Sequence, residues 1–315
     1  MAEAPEYCRV PIDVIQRFGG DLPFDLYLRL SDDKLVRISN ANDDLKELLT
    51  HYVAKGVKEI FALKGDYNRF VELMNKELTA KFFKHDTSPE EKLQILQSSF
   101  NVLKGSMTKT GISKAAINLT FELAKKSGEF ISGHMLTKDF FQKFKSSCSS
   151  EYVRSLFVGS VAISMLDTLE WKSDAVKERV LQALLLRDIL LAPEDFASIK
   201  KCRETPKNLL ADVYNHPQRM VELLTKDACR DFSPDVLVMI ECHHERPDSK
   251  GFPGKVNDQN IPILPAMLII ADEFIDSIIA ASFSSDSRTL ALGELSGIFK
   301  KGNYRKAFMA MKSLH

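Results

Sequence analysis

The sequence is short of several things that would narrow its class at once. It has no charge excess: Lys plus Arg and Asp plus Glu both number 43 among 315 residues, for a formal net charge of zero. No general affinity for polyanions such as nucleic acid follows from that balance. It has no apolar run approaching the roughly 18–20 residues that cross a bilayer, so no membrane span is expected. The opening MAEAPEYCRVPID has no basic segment followed by an apolar one, and no secretory signal is expected. Five cysteines, at 8, 148, 202, 229 and 242, form no paired framework. Reduced thiols in a cytoplasmic setting are the simplest reading. Internal repeats and low-complexity segments are absent too.

What is present is a soluble, globular composition with 44% hydrophobic residues, in a chain long enough for two domains. The expected class is α+β, with a small N-terminal α/β module followed by an all-α helical domain. Residues 1–80 mix strand and helix signals. Residues 11–15 read as a short element closed by Gly19 and Gly20, and residues 24–30 and 35–38 alternate apolar and polar around a turn at Ser31-Asp32-Asp33. A helix over 43–54 stops at Gly56, a strand follows over 57–63, and Asp66 stands where a further helix starts. No catalytic constellation or cofactor motif falls in this module, and its role as a regulatory or partner-binding part rests on position alone. His51 reads as a surface residue. Residues 81–145 read as connecting helices, with Ser88-Pro89-Glu90-Glu91 a cap and acidic first turn. His85 and His134 lie in separate polar surroundings. Helices continue over 150–169, 173–191 and 207–224, and residues 262–282 are strongly apolar apart from Asp272 and Asp276.

The densest group of ligand and turn residues is Glu241-Cys-His-His-Glu-Arg-Pro-Asp-Ser-Lys-Gly-Phe-Pro-Gly254. Ser233 caps the preceding helix, Pro234 suits its first position, and Pro247 predicts an end near His244 or Glu245. Two adjacent histidines at a rigid helix end, facing a tight turn, make a good mounting for a metal. With Asp188, His216 and Asp272 they form a set of imidazoles and carboxylates suited to iron, manganese or zinc. Singly, Asp188 and Asp272 are as well explained as capping or surface residues, and His216-Pro217 as an ordinary helix start. The His243-His244 pair is harder to explain as packing.

His243-His244-Glu245, Asp248 and Gly251-Phe252-Pro253 together resemble the hallmark of the HD-GYP family, metal-dependent phosphohydrolases that hydrolyse the bacterial second messenger cyclic di-GMP. The other landmarks of that family fall in order over residues 145–315: the segment around Arg187-Asp188, Asn215-His216-Pro217, and Ile269-Ile270-Ala271-Asp272. The departures are equally specific. Arg187 stands in place of the histidine of the His-Asp doublet, Leu191 in place of a lysine, and Arg154 in place of the first ligand histidine. Ser150 falls where some members have a glutamate, with Glu151 beside it. Phe252 keeps the ring of the motif tyrosine without its hydroxyl.

The resemblance implies one metal held by the positions of Arg154, Arg187 and Asp272 and another by His216, His243 and His244, bridged by Asp188, which is also the catalytic candidate. Arginine stays protonated and cannot ligate, so the first site loses two ligands and the second keeps four. The implied cofactor is one divalent metal (Fe, Mn or Zn) or none. The two arginines are expected to neutralise Asp188 and Asp272 and to clamp a phosphate, with solvent-facing drift as the alternative. Phe252 is a candidate for stacking on a guanine, and Lys250 or Lys255 for approaching a phosphate. Three functions follow: an impaired family member that binds cyclic di-GMP, a related nucleotide or a protein partner through the N-terminal module; an active phosphodiesterase with a reduced metal site; or a non-catalytic scaffold. No nucleic-acid or membrane partner is expected.

Overall fold

The structure is a computed structural model that describes residues 6–18, 22–31, 34–82, 87–133, 150–169, 173–202, 205–226, 231–248, 250–254 and 260–314. His85, His134, Cys148, Cys229, Lys255 and the end of the expected connecting helices from residue 134 on lie outside the described residues. The chain divides into two compact units, Met1–Leu123 and Ala124–His315.

The first unit is built on a four-stranded sheet in the order β1-β4-β2-β3. β1 (Tyr7–Pro11) turns directly into α1 (Ile12–Phe18), so the single short element expected at 11–15 is the junction of a strand and a helix. β2 (Leu26–Ser31) and β3 (Lys34–Ser39) pair antiparallel, as the alternating pattern predicts. β4 (Glu59–Leu63) pairs antiparallel with β1 from Tyr7↔Leu63 to Pro11↔Glu59, and with β2 at Tyr27↔Phe61. Cys8 and Val10 point inward while Arg9 between them faces out, where it meets Glu59 at 3.3 Å. α2 (Lys46–Ala54) carries the exposed His51 and is followed by Gly56 in the left-handed region at φ 79°, the stop expected from its lack of a Cβ. α3 (Lys64–Phe82) buries Tyr67, Phe70, Val71, Met74 and Leu78, a single helical stripe. α4 (Pro89–Lys109) opens with a complete capping box: Glu91 N–H donates to Ser88 Oγ at 3.2 Å and Ser88 N–H donates to the Glu91 carboxylate at 3.0 Å. The division between units falls inside α5 (Lys114–Gly133).

The described part of the second unit is helical: α6 (Glu151–Asp167), α7 (Asp174–Leu186), α8 (Pro193–Lys201), a 3₁₀ turn (Pro206–Asn208), α9 (Ala211–Lys226), α10 (Pro234–Cys242), α11 (Ile263–Ala280), α12 (Ser287–Ile298) and α13 (Gly302–Lys312). α6 is buried almost all round and packs against α7, α11 and α13. α7 comes so close that a Cβ at Gly159 would stand 2.9 Å from the Leu181 side chain. α10 packs against α7, α9 and α11. A mostly helical chain with one small antiparallel sheet is the expected α+β architecture. Among the described residues, no helix is long and apolar enough to cross a membrane.

Candidate metal centre

Asp188, His216 and His243 each sit where a helix fails to satisfy its own backbone. α7 ends at Leu186 instead of running on to 191, because Arg187 and Asp188 enter a turn in which Ile189 N–H donates to Leu186 O at 3.2 Å and Leu191 N–H to Asp188 O at 2.9 Å. Pro193 disfavours helix at Ala192 and starts α8. His216 lies inside α9, within the helix expected over 207–224, and not at a helix start, the plainer alternative for His216-Pro217. Pro217 has no N–H, which leaves the carbonyl of Val213 without its helical donor. His216 Nδ1–H takes that carbonyl at 2.6 Å. α10 ends at Cys242, slightly earlier than predicted, and His243 Nδ1–H donates at 2.6 Å to Ile240 O, one of the carbonyls a helix end leaves open.

These two bonds fix the chemistry of the rings. A proton on Nδ1 leaves Nε2 of a neutral imidazole with its lone pair. The Nε2 atoms of His216 and His243 are 3.2 Å apart, and lie 3.4 and 3.2 Å from Asp188 Oδ1. His244 Nε2 lies 3.8 Å from the same oxygen and is buried without a hydrogen-bond partner among the described residues. Burial pushes His243 below its ordinary pKa and His244 well below, against the pull of Asp188. Burial also opposes charge on Asp188, yet Arg187 and His243 hold its carboxyl well below the usual range. Two lone pairs, a third imidazole nitrogen and a carboxylate oxygen therefore converge, which is an environment for a cation. The ligand atoms of Asp188, His216, His243 and His244 all lie within 4.8 Å of one another, a group that can hold a metal ion.

The turn after α10 supports the histidine pair. A Cβ at Gly251 would stand 2.3 Å from Arg246 N and 2.6 Å from Glu245 Cα, so only glycine lets the two backbones approach. Phe252 N–H donates to His244 O at 3.1 Å, and Gly254 N–H to Glu245 Oε1 at 2.6 Å. The Phe252 ring is only 5% exposed and stacks on His244 and Tyr214, with centroids 4.5 and 5.3 Å away. It packs the ligand ring in place, which corrects the reading of Phe252 as an open platform for a guanine. Lys250 is exposed in the same turn.

The other side of Asp188 is arginine. Arg187, with a fully buried side chain, has Nε 3.0 Å from Asp188 Oδ2 and donates from Nη2 to Asp272 Oδ1 at 2.5 Å. Arg154 Nη2 lies 3.0 Å from Asp272 Oδ2 and donates to Asp276 Oδ1 at 2.9 Å. Both oxygens of Asp272 thus face guanidiniums, and its carboxyl, despite burial, is lowered to about 2 by Arg154 and Arg187. Asp272 does not join the ligand group, a correction to its expected place among the ligands. The arginines do not point to solvent: they form one chain of alternating charge from Asp276 to Asp188. In the sequence Asp276 stands out only as part of the aspartate segment, and its i, i+4 spacing from Asp272 on a helix is the available signal. No local pattern in the sequence marks the burial of Glu245 or the pair Arg246–Glu273, at 2.8 Å.

No protein-family model and no curated protein matches the sequence. A solved structure does: Bd1817, described as an HDG"Y"P protein, from Bdellovibrio bacteriovorus. It is 13% identical, has a TM-score of 0.59, and the match covers 97% of this chain and 98% of that one. At that identity the likeness shows the fold, which is that of an HD-GYP protein.

The residues present fit one metal. The donor set Asp188, His216, His243 and His244 is intact, and the buried, unpartnered His244 Nε2 fits a fourth ligand. They do not fit a second, because guanidiniums occupy its side. Pro217→Ala should report on how the first is tuned. A restored N–H at 217 would compete for Val213 O and loosen His216, and loss of such support typically costs about 10–100-fold in metal affinity. Competition with a chromogenic chelator would measure it, and unchanged affinity would refute the backbone account of His216.

Proposed function

We propose that this chain is an HD-GYP protein of cyclic di-GMP signalling whose hydrolytic centre is reduced to one metal, and that it acts by binding a nucleotide ligand or a partner. Asp188, His216, His243 and His244 would hold one divalent cation, iron, manganese or zinc, which supplies a Lewis-acid contact for a phosphate oxygen. The observation that carries the reading is the split around Asp188, with three imidazole Nε2 atoms facing Oδ1 and the Arg187 guanidinium facing Oδ2. Two-metal hydrolysis depends on cations at both the attacking and the leaving oxygen. Arg154 and Arg187 supply charge there, but a guanidinium activates no water. Phe252 and the turn at 251–254 hold His244 in position, and Lys250 is exposed in that turn.

Elemental analysis of the purified chain, run beside cyclic di-GMP binding and hydrolysis assays, tests this. The expected result is one metal per chain, measurable binding and little or no turnover. Two metals per chain, or turnover at rates ordinary for two-metal hydrolases, would sink the proposal. An unoccupied ligand set with no nucleotide binding would leave a scaffold as the function.

A further inference from the structure

The far half of the β2–β3 hairpin is left without cover. Tyr27 pairs with Phe61, and Phe61 with Arg9, so these three share the outer face of the sheet. Leu28 and Val36, paired with each other one residue on, therefore lie on the inner face with Cys8 and Val10. The helices that pack closely on the sheet, α1, α3 and α4, meet β1 and β4. Val10 and Ile60 are fully buried, whereas Val36 is 38% exposed and Leu30, two residues beyond Leu28, 59%. β3 also ends the sheet, paired with β2 on one side only among the described residues.

An open edge carrying apolar side chains is a template for another strand. What the edge presents decides which strand. Lys34 and Arg37 are charges of the kind that keep edges apart, but Arg37 is held by Asp25 at 3.1 Å. Arg29, on β2, lies over the Phe61 ring at 4.5 Å. An acidic peptide would have to compete with those internal partners. The uncommitted surface is apolar, Leu30 and Val36, and its complement is an edge with the same uncovered residues. A second copy of this chain supplies one, and a net charge of zero puts no long-range repulsion between copies.

We infer that two copies of the chain join through β3, antiparallel about a twofold axis at Val36, so that their two sheets become one. Charge selects that centre, because like charges set directly opposite each other are destabilising. A centre between Leu35 and Val36 sets Lys34 against Arg37 of the second copy, and a centre on Arg37 sets two arginines together. A centre on Val36 pairs Lys34 with Ile38 and Leu35 with Arg37, and brings the two exposed valines side by side. A short strand edge buries less than the roughly 800 Å² per partner of a standard interface, so the dimer should be weak, with a dissociation constant on the order of 10–100 μM. The contact uses no residue of the metal centre.

Sedimentation equilibrium of the full chain, from about 1 to about 300 μM to bracket that constant, is the test. Wild type should show a reversible monomer–dimer equilibrium. Val36→Lys and Val36→Glu each set like charges across the axis and should weaken association about 10-fold or more. Mixed one to one, the two variants should associate again, because lysine then faces glutamate. Wild type that stays monomeric overturns the inference, as does a dimer that either variant alone leaves as tight, or a mixture that stays monomeric. Hydrogen exchange on wild type needs no variant. The outward amides of residues 34–38 should exchange more slowly where the dimer forms than at low concentration, and equal exchange refutes pairing through β3.

Discussion

Replacing Arg187 with methionine is expected to lower the unfolding free energy of the metal-free protein by about 3–5 kcal/mol, the usual cost of breaking a buried ion pair from one side. The cause is specific. Arg187 lies between Asp188 and Asp272, and both carboxylates are held ionised by guanidiniums on the way in from Asp276. Without Arg187, Asp188 would face Asp272 in a buried setting with no cation between them. Denaturant titration should show an earlier midpoint at an unchanged slope. Adding Asp272→Asn to Arg187→Met should return part of the loss, since one of the excess negative charges is then removed while Arg154 keeps Asp276 as its partner. Loading the variant with zinc should return more, because the metal neutralises Asp188 from its other oxygen. A cost below about 1 kcal/mol, the range of an exposed pair, would contradict the buried relay.

Metal loading is the second large effect. With zinc or manganese at about 1,000 times its dissociation constant, stability should rise by about 4 kcal/mol. For a unit of this size that is a shift of roughly 8–16 °C in the thermal midpoint. His243→Ala should abolish the shift, since it removes both a ligand and the ring that closes Ile240 O. The pH dependence has a definite sign. Burial holds His243 and His244 below their ordinary value of 6.5, so the unfolded chain takes up protons first. Stability is therefore complete above about pH 6.5 and falls as pH drops below it. His244→Gln should flatten the slope between pH 6.5 and 5. A stability rising toward acid in that window would mean the imidazoles are charged in the fold.

The residue types and order around 188, 216, 243 and 244 are enough to assemble the ligand set, because packing alone seldom places two adjacent histidines at a helix end before a proline-closed turn. The class of fold follows from periodicity: alternation over β2 and β3, helical stripes thereafter. The relation between elements is harder to see. The end of α7 at Leu186 is set by a turn inside an unbroken apolar run, where hydrophobic pattern carries no signal. Pro217 inside α9 defeats the rule that proline marks a helix start, since its cost is offset by the neighbouring histidine. Phe252 reads as a stacking surface because it keeps the ring of the motif tyrosine in the turn that the resemblance makes a lip, and only packing against Tyr214 and His244 shows that the ring is taken. Asp272 reads as a ligand because no local rule tells whether a carboxylate faces an imidazole or a guanidinium across the bundle.

The anchors of His216 and His243 are main-chain carbonyls, three residues back in each helix. Many ligating histidines lean on a carboxylate instead, which lends them negative charge and can itself be protonated or mutated. Here the supporting atom belongs to the peptide unit. It has no side chain to lose and no proton to gain, so the aim of both rings is inherited from the helices themselves. Substitutions around the site that leave α9 and α10 in place should therefore change what the centre binds long before they change where its ligands point.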